Sequence, residues 1–301
     1  MILFILNSSA GNDECDAVKA LIDKRLTARG TEARVVLART GAEMEWAAKE
    51  GIAAGADAVV AGGGDGTIST VAGVLADSGM PLGVLPLGTL NHFAKDLGIP
   101  LKPADALDVI LAGTAIPVDV GEVNGKLFLN NSSLGLYARI VRLRERYEAR
   151  GLAKWGVAAW AMFKVMEQNP VFTVRIGANG ETSSYRSSLV MVGNNSYRMK
   201  GLDAGARDSL RGGALAVYVV ESQGKVALAR LVWQIITGHA REAEELEVYH
   251  ATDVTIETEG SSGPVTRDGE VEQMEMPLKY RIKAGAIQVL VGSGEGVRGE
   301  Q

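Results

Sequence analysis

An α/β domain with a parallel sheet, followed by an antiparallel β-sandwich domain, is the fold class this sequence predicts. Two observations carry it. Over the first 115 residues short apolar runs alternate with amphipathic helical patterns, the alternation of a parallel α/β sheet. From Val118 onward the apolar period shortens to two and Asn-Gly pairs separate the runs, as in hairpin-built antiparallel sheets. A chain of 301 residues can fill two cores, so the division is placed at 1–117 and 118–292, with 293–301 as a tail.

In the first domain the apolar runs predict strands over 2–6, 33–37, 58–61 and 82–85, and the amphipathic stretches predict helices over 14–29, 43–54, 67–77 and 103–112. The run 2–6 is too short for a signal-peptide core and no basic residue precedes it, so it is expected to be a buried first strand. Ligands of parallel sheets bind beyond the carboxyl ends of the strands, where the loops 7–12, 62–67 and 86–91 fall. In the second domain, strands over 118–123 and 126–130 flank Asn124-Gly125, and strands over 171–176 and 185–192 flank Asn179-Gly180. Further strands are predicted over 214–220, 248–258, 269–277 and 287–291, with helical insertions over 139–168 and 225–240.

Composition excludes several classes. With 47% hydrophobic residues and no low-complexity stretch, the chain is globular rather than disordered. Cys15 is its only cysteine, so no intramolecular disulfide forms, and the three histidines are too scattered for a zinc site. The apolar stretch 155–163 falls far short of the ~20 residues that cross a bilayer. A net charge of −5 argues against nucleic acid as a partner. Locally, Arg139, Arg142, Arg146 and Arg150 share one helical face, a candidate for docking on an anionic surface. Trp155, Trp160, Met162 and Phe163 form an apolar stripe better suited to core packing than to membrane contact.

Gly62-Gly63-Gly64-Asp65-Gly66-Thr67 is the strongest local signal. Glycines at a strand-to-helix turn bring backbone N–H groups close to an anion, and the helix dipole adds to the attraction. Asp65 would repel that anion unless a divalent cation or a fixed hydrogen-bond network intervenes, which points to phosphoryl chemistry. A tight turn without a ligand is the alternative. The run matches neither the Walker P-loop nor the dinucleotide fingerprint, and kinase-fold and hydrolase signatures are missing. A second loop, from Pro86-Leu87-Gly88-Thr89 to Asn91-His92-Phe93-Ala94, has the polar groups for nucleotide contact at a helix start. Arg267-Asp268-Gly269-Glu270 reads first as a hairpin turn, while its two carboxylates also suit proton abstraction and Mg²⁺ binding. Asp119 could join that cluster, although on a hairpin strand it is more often solvated.

Together these three loops resemble the diacylglycerol kinase catalytic-domain superfamily of lipid kinases. Gly63 to Thr67 is similar to its nucleotide loop, Pro86 to Ala94 to its G-T-x-N-D-F-A segment, and Asp268-Gly269-Glu270 to its D-G-E element. The resemblance implies a phosphofructokinase- or NAD-kinase-like first domain and a lipid-binding β-rich second one. It implies that Asn7, Gly63, Gly64, Gly66, Thr67, Thr89 and Asn91 bind ATP, that Asp268 is the general base, and that Asp65 and Glu270 hold Mg²⁺ and position the base. The implied activity is phosphorylation of diacylglycerol or a similar lipid alcohol by a cytoplasmic, peripherally membrane-associated enzyme. Edge strands of the β half could pair between chains, which leaves a homodimer open. Three departures stand out: His92 replaces the family's Asp, Ser8 replaces a Pro, and Arg211-Gly212-Gly213 lies where many bacterial members have a metal-holding Asp-Asp-Gly that only Asp203 or Asp208 could replace. An NAD kinase and a nucleotide-binding regulator without turnover are the alternative readings.

Overall fold

The structure, a computed structural model, describes residues 1–8, 12–135, 171–198, 207, 209–221 and 246–292. Both predicted helical insertions lie outside these residues, as do the arginine and tryptophan stripes, Asp203, Asp208 and the tail. The chain divides into two units: Met1–Val120 with Ser209–Gly212 and Lys283–Gln301, and Gly121–Asp208 with Gly213–Ile282.

In the first unit β1 (Ile2–Asn7) has no polar side chain before Asn7, as expected of a strand buried on both faces. It lies between β2 (Ala33–Ala38) and β3 (Ala58–Gly63), and β4 (Pro81–Pro86) follows β3, all parallel. The helices are α1 (Asn12–Thr27), α2 (Gly41–Ala53), α3 (Asp65–Leu75), α4 (His92–Asp96) and α5 (Pro103–Ala112). Thr40 caps α2 by accepting from the Glu43 N–H at 3.3 Å, and the Glu43 carboxylate reaches back to the Arg39 N–H at 2.7 Å. Helices α2 and α3 each begin two residues before their apolar patterns do, because the first residues of a helix need not be buried. Phe4, Ile5, Leu6, Val59, Val60, Val84, Ile68, Val71 and Phe93 are fully buried and build the core. Gly73, exposed in the last turn of α3, has open space around it; Gly73→Ala should stabilise by about 0.5 kcal/mol, the lower end of the mid-helix range, read as a higher thermal midpoint.

Strand β5 (Thr114–Val123) leads into the second unit, where β6 (Lys126–Phe128), β7 (Asn131–Gly135), β8 (Phe172–Ala178), β9 (Glu181–Asn194), β10 (Leu215–Glu221), β11 (Leu246–Ala251), β12 (Asp253–Thr258), β13 (Ser262–Arg267), β14 (Glu270–Glu275) and the start of β15 (Leu278–Val291) build an antiparallel β-sandwich. Strand order is β14-β13-β7-β9-β8-β12-β15, with β10 on β9 and β11 on β10. Its core gathers Phe128, Val190, Val192, Val217, Ile256, Val265 and Tyr280. Phe128 meets Tyr280 edge-on at 6.2 Å, and the ring of Phe128 occupies the space a side chain at Gly121 would need. Asn124-Gly125, Asn179-Gly180 and Asp268-Gly269 each close a two-residue hairpin with positive φ at both positions, the geometry these pairs favour.

Several segments differ from expectation. The run 248–258 is two strands, β11 and β12, because the chain changes partners at Thr252, from β10 to β8 and β15. Residues 126–130 do not stay in one strand, since Leu129 and Asn130 leave the ladder between β6 and β7. The end of β15, placed with the β half at 118–292, returns to the first unit: Gln288 and Val289 pair in parallel with Pro81 and Leu82 of β4, where Ile287 and Val289 are buried.

One ion network secures the Asp268 hairpin. Glu272 accepts from Lys126 and, at 2.7 Å, from the Arg267 guanidinium. Burial raises its carboxyl's pKa, but the bonds from Lys126 and Arg267 outweigh this and hold it below the usual range. A lowered folded pKa gives stability above the ordinary glutamate value near 4.5 that disappears as pH falls through the folded value. The thermal midpoint of Glu272→Gln should therefore lie below wild type at pH 7, and the gap should narrow below pH ~4.5.

Candidate active-site elements

Strand order β2-β1-β3-β4 places the topological switch point between β1 and β3, and the candidate residues of the first unit gather there. Asn7 ends β1 and its amide donates to the Thr67 hydroxyl at 2.9 Å, joining the end of β1 to the first turn of α3. Ser8 uses the hydroxyl that a Pro would lack to donate to the Ala38 carbonyl at the end of β2. Gly63 closes β3, and Gly64 occupies the N-cap position of α3 with no side-chain cap, so the N–H groups of that helix's first turn have no side-chain acceptor.

The second loop lies directly against the first. Leu87 donates to the Gly63 carbonyl at 2.9 Å, and Gly64 and Gly88 face each other backbone to backbone. Asn91, buried and left-handed at φ 49°, accepts from the Gly88 N–H at 3.0 Å and donates to the Gly88 carbonyl at 2.7 Å, closing 88–91 on itself. Thr89 and Leu90 are exposed at its tip. Asp65 spans the two loops: its carboxylate accepts from the His92 and Phe93 N–H groups, each at 3.1 Å, and so caps α4. Position 92 thus supplies a backbone donor to this clamp whatever its side chain, and the His92 side chain is exposed.

In the second unit Asp268 is the first residue of its turn, at φ 48°. Its carboxylate accepts from Leu129 at 2.8 Å, Asn130 at 2.7 Å and Asn131 at 3.2 Å, while its own N–H donates to the Asn131 carbonyl. Glu270, two residues on, opens β14 and is exposed. Asp119 is not solvated. It is buried in the first unit and accepts from Gly285 N–H at 2.8 Å. Arg211 donates to the Pro117 carbonyl at 3.0 Å.

No sequence pattern announces what holds the 129–131 segment. Leu129 O accepts from Arg207 and from Asn194 Nδ2 at 2.8 Å; Asn130 O accepts from the Asn194 N–H and the Tyr197 hydroxyl. Asn194 and Arg207 are buried. The only available signal was the paired asparagines, Asn130-Asn131 and Asn194-Asn195, each at the end of an apolar run.

An α/β unit with glycine loops at its switch point, joined to a β-sandwich that presents an Asp-Gly-Glu hairpin, is the layout of diacylglycerol-type kinases. Residues 1–123 match the model of the diacylglycerol kinase catalytic domain, and residues 131–291, over half the chain, match that of the YegS C-terminal NAD kinase beta sandwich-like domain. The chain belongs to this diacylglycerol kinase family. A Pseudomonas aeruginosa protein described as a probable lipid kinase, YegS-like, is 42% identical over 142 residues, 46% of this chain and 45% of that protein, a little under half the relative's length. A diacylglycerol kinase of Mycobacterium tuberculosis is 27% identical over 88% of this chain and 87% of its own. A crystal structure from Bacillus anthracis strain Sterne superposes with a TM-score of 0.77 at 25% identity, covering 97% of each chain.

Proposed function

We propose that this chain is an ATP- and Mg²⁺-dependent lipid kinase that phosphorylates the hydroxyl of diacylglycerol or a similar amphipathic alcohol, working as a peripheral protein on the cytoplasmic face of a membrane. One observation carries the reading: the α3 N-terminus has no side-chain cap and sits at the switch point, walled by the glycines at 63, 64 and 88. Backbone donors at such a helix start suit phosphate oxygens, and no Cβ intrudes on them. The nucleotide's phosphates would lie against Gly63, Gly64, Gly66 and Thr67, with Asn7 orienting the Thr67 hydroxyl and Thr89 at the exposed tip of the second loop.

Bound Mg²⁺ would neutralise charge on the phosphates during transfer. Among the described residues no three His, Cys, Asp or Glu side chains gather into a cage, which fits an ion held mainly by phosphates and one or two carboxylates. Asp65 and Glu270 are the carboxylates proposed for it; each Asp65 oxygen already takes one N–H bond, leaving its second lone pair. Asp268 is proposed to take the proton of the attacking hydroxyl as that oxygen bonds to the γ-phosphorus and the bond to the leaving ADP oxygen breaks. Its three N–H donors fix its orientation, which a base acting once per turnover requires. Among the described residues no helix is long and apolar enough to cross a membrane; the sequence's arginine stripe over 139–150 remains the candidate contact with lipid.

The deciding experiment is radiolabelled phosphate transfer from ATP to dioctanoylglycerol in mixed micelles, to a total lipid extract, and to NAD⁺ in a separate arm. Labelled lipid dependent on Mg²⁺ supports the proposal. Label only in NADP⁺, or nucleotide binding with no transfer to any acceptor, replaces it with one of the alternative readings.

A further inference from the structure

We infer that Arg207 is a positioning residue for Asp268, acting through the single peptide group that joins Leu129 to Asn130. Its guanidinium Nη1 donates to the Leu129 carbonyl at 2.5 Å, and the N–H at the other end of that same peptide donates to Asp268 Oδ1 at 2.7 Å. A cation thus stands on the acceptor side of a peptide whose donor side holds a carboxylate. Hydrogen bonds in series polarise one another, so the charge on Arg207 strengthens the bond that reaches Asp268.

The surrounding bonds show a segment built around this link. Leu129 and Asn130 leave the strand ladder just before Asn131 opens β7, so their backbone groups need other partners. All three N–H groups converge on the Asp268 carboxylate. The carbonyls of Leu129 and Asn130 take other partners: Leu129 O takes Arg207 and Asn194, and Asn130 O takes the Asn194 N–H and Tyr197 Oη, while Asn131 O takes the Asp268 N–H. Arg207 Nη2 also donates to Asn130 Oδ1 at 3.3 Å, a fork that fixes the segment at two points. Arg207 is 3% exposed and forms a β-bridge with Tyr197, so the cation is held in a low-dielectric setting where its influence is screened little.

The inference rests on Asp268 being the base, and the test separates the two claims. In the dioctanoylglycerol assay Arg207→Gln, which loses the charge, should lower kcat about tenfold with the KM for ATP unchanged. Arg207→Lys keeps the charge but not the fork, so kcat should fall several-fold, again with the KM for ATP unchanged. Wild-type kcat in folded Arg207→Gln or in Arg207→Lys overturns the inference; should the Gln variant not fold, the Lys variant decides alone. Amide hydrogen exchange at 129–131 reports the positioning without reference to chemistry: faster exchange there in Arg207→Lys is expected, and unchanged exchange refutes it. If Asp268→Asn keeps full turnover, the base assignment falls, and the exchange result alone decides whether Arg207 holds the segment.

Discussion

Asp268→Asn should reduce lipid phosphorylation by a factor of at least about 10²–10⁴, the usual contribution of a positioned general base, while the hairpin persists. Asn-Gly favours the same two left-handed positions as Asp-Gly, so the turn at 268–269 is kept. The carboxamide oxygen can replace Oδ1 as acceptor for Asn130 and Asn131, but its NH₂ then faces the Leu129 N–H, two donors with no acceptor between them. That mismatch should cost about 1–3 kcal/mol, measurable in denaturant melts. Nucleotide affinity should not change, because the bonds that shape the glycine loops are formed within 7–93 of the first unit. Wild-type turnover in a variant that melts lower would make Asp268 a purely structural anchor for residues 129–131.

The same residue shows where sequence reading succeeds and where it stops. Asp268-Gly269 was legible as a turn because its chemistry is local: two adjacent residues with left-handed preference between strands. Likewise the loops at 62–67 and 86–91 follow wholly apolar strands, so their place on the carboxyl edge follows from the period alone. What was not legible is contact between residues distant in sequence. Arg207, Asn194 and Asn130 are single polar residues with no periodicity, and only folding places them on one segment. Strand β13 was missed because Ser-Gly-Pro-Val-Thr-Arg lacks apolar alternation. Its pairing with β7 is confined to Val265–Arg267, just after the Pro that has no N–H to give. The first half of β15 carries the period-two signal in full, with Leu278, Tyr280 and Ile282 buried between Lys279, Arg281 and Lys283, so it was legible although the expected strands leave it out. Asp65 illustrates the converse. Its identity suggested a cation site, but its side chain first braces one loop against the other through two N–H groups no sequence pattern identifies as partners.

That bracing makes Gly88 the position where the smallest change should have the largest effect on nucleotide binding. A Cβ at Gly88 would lie 2.4 Å from Gly64 Cα and 2.8 Å from Asn91 Oδ1. Neither neighbour yields easily. Gly64 is backbone at the start of α3, and Asn91 is held by two bonds to Gly88 itself. Gly88→Ala must therefore part the two loops, stretching the 3.1 Å bonds from His92 and Phe93 to Asp65 and shifting the α3 donors proposed to meet phosphate. ATP affinity, read by calorimetry, should fall at least tenfold, about 1.4 kcal/mol. The reciprocal change is the control that isolates the mechanism. A Cβ at Gly64 would stand 3.5 Å from Gly88 Cα, an ordinary contact, so Gly64→Ala should lose far less although it lies nearer the helix start. Equal losses in the two variants would mean that the ligand, rather than the opposing loop, sets the need for glycine; no loss in Gly88→Ala would mean that the loops part without disturbing the nucleotide and that their contact is not part of the site.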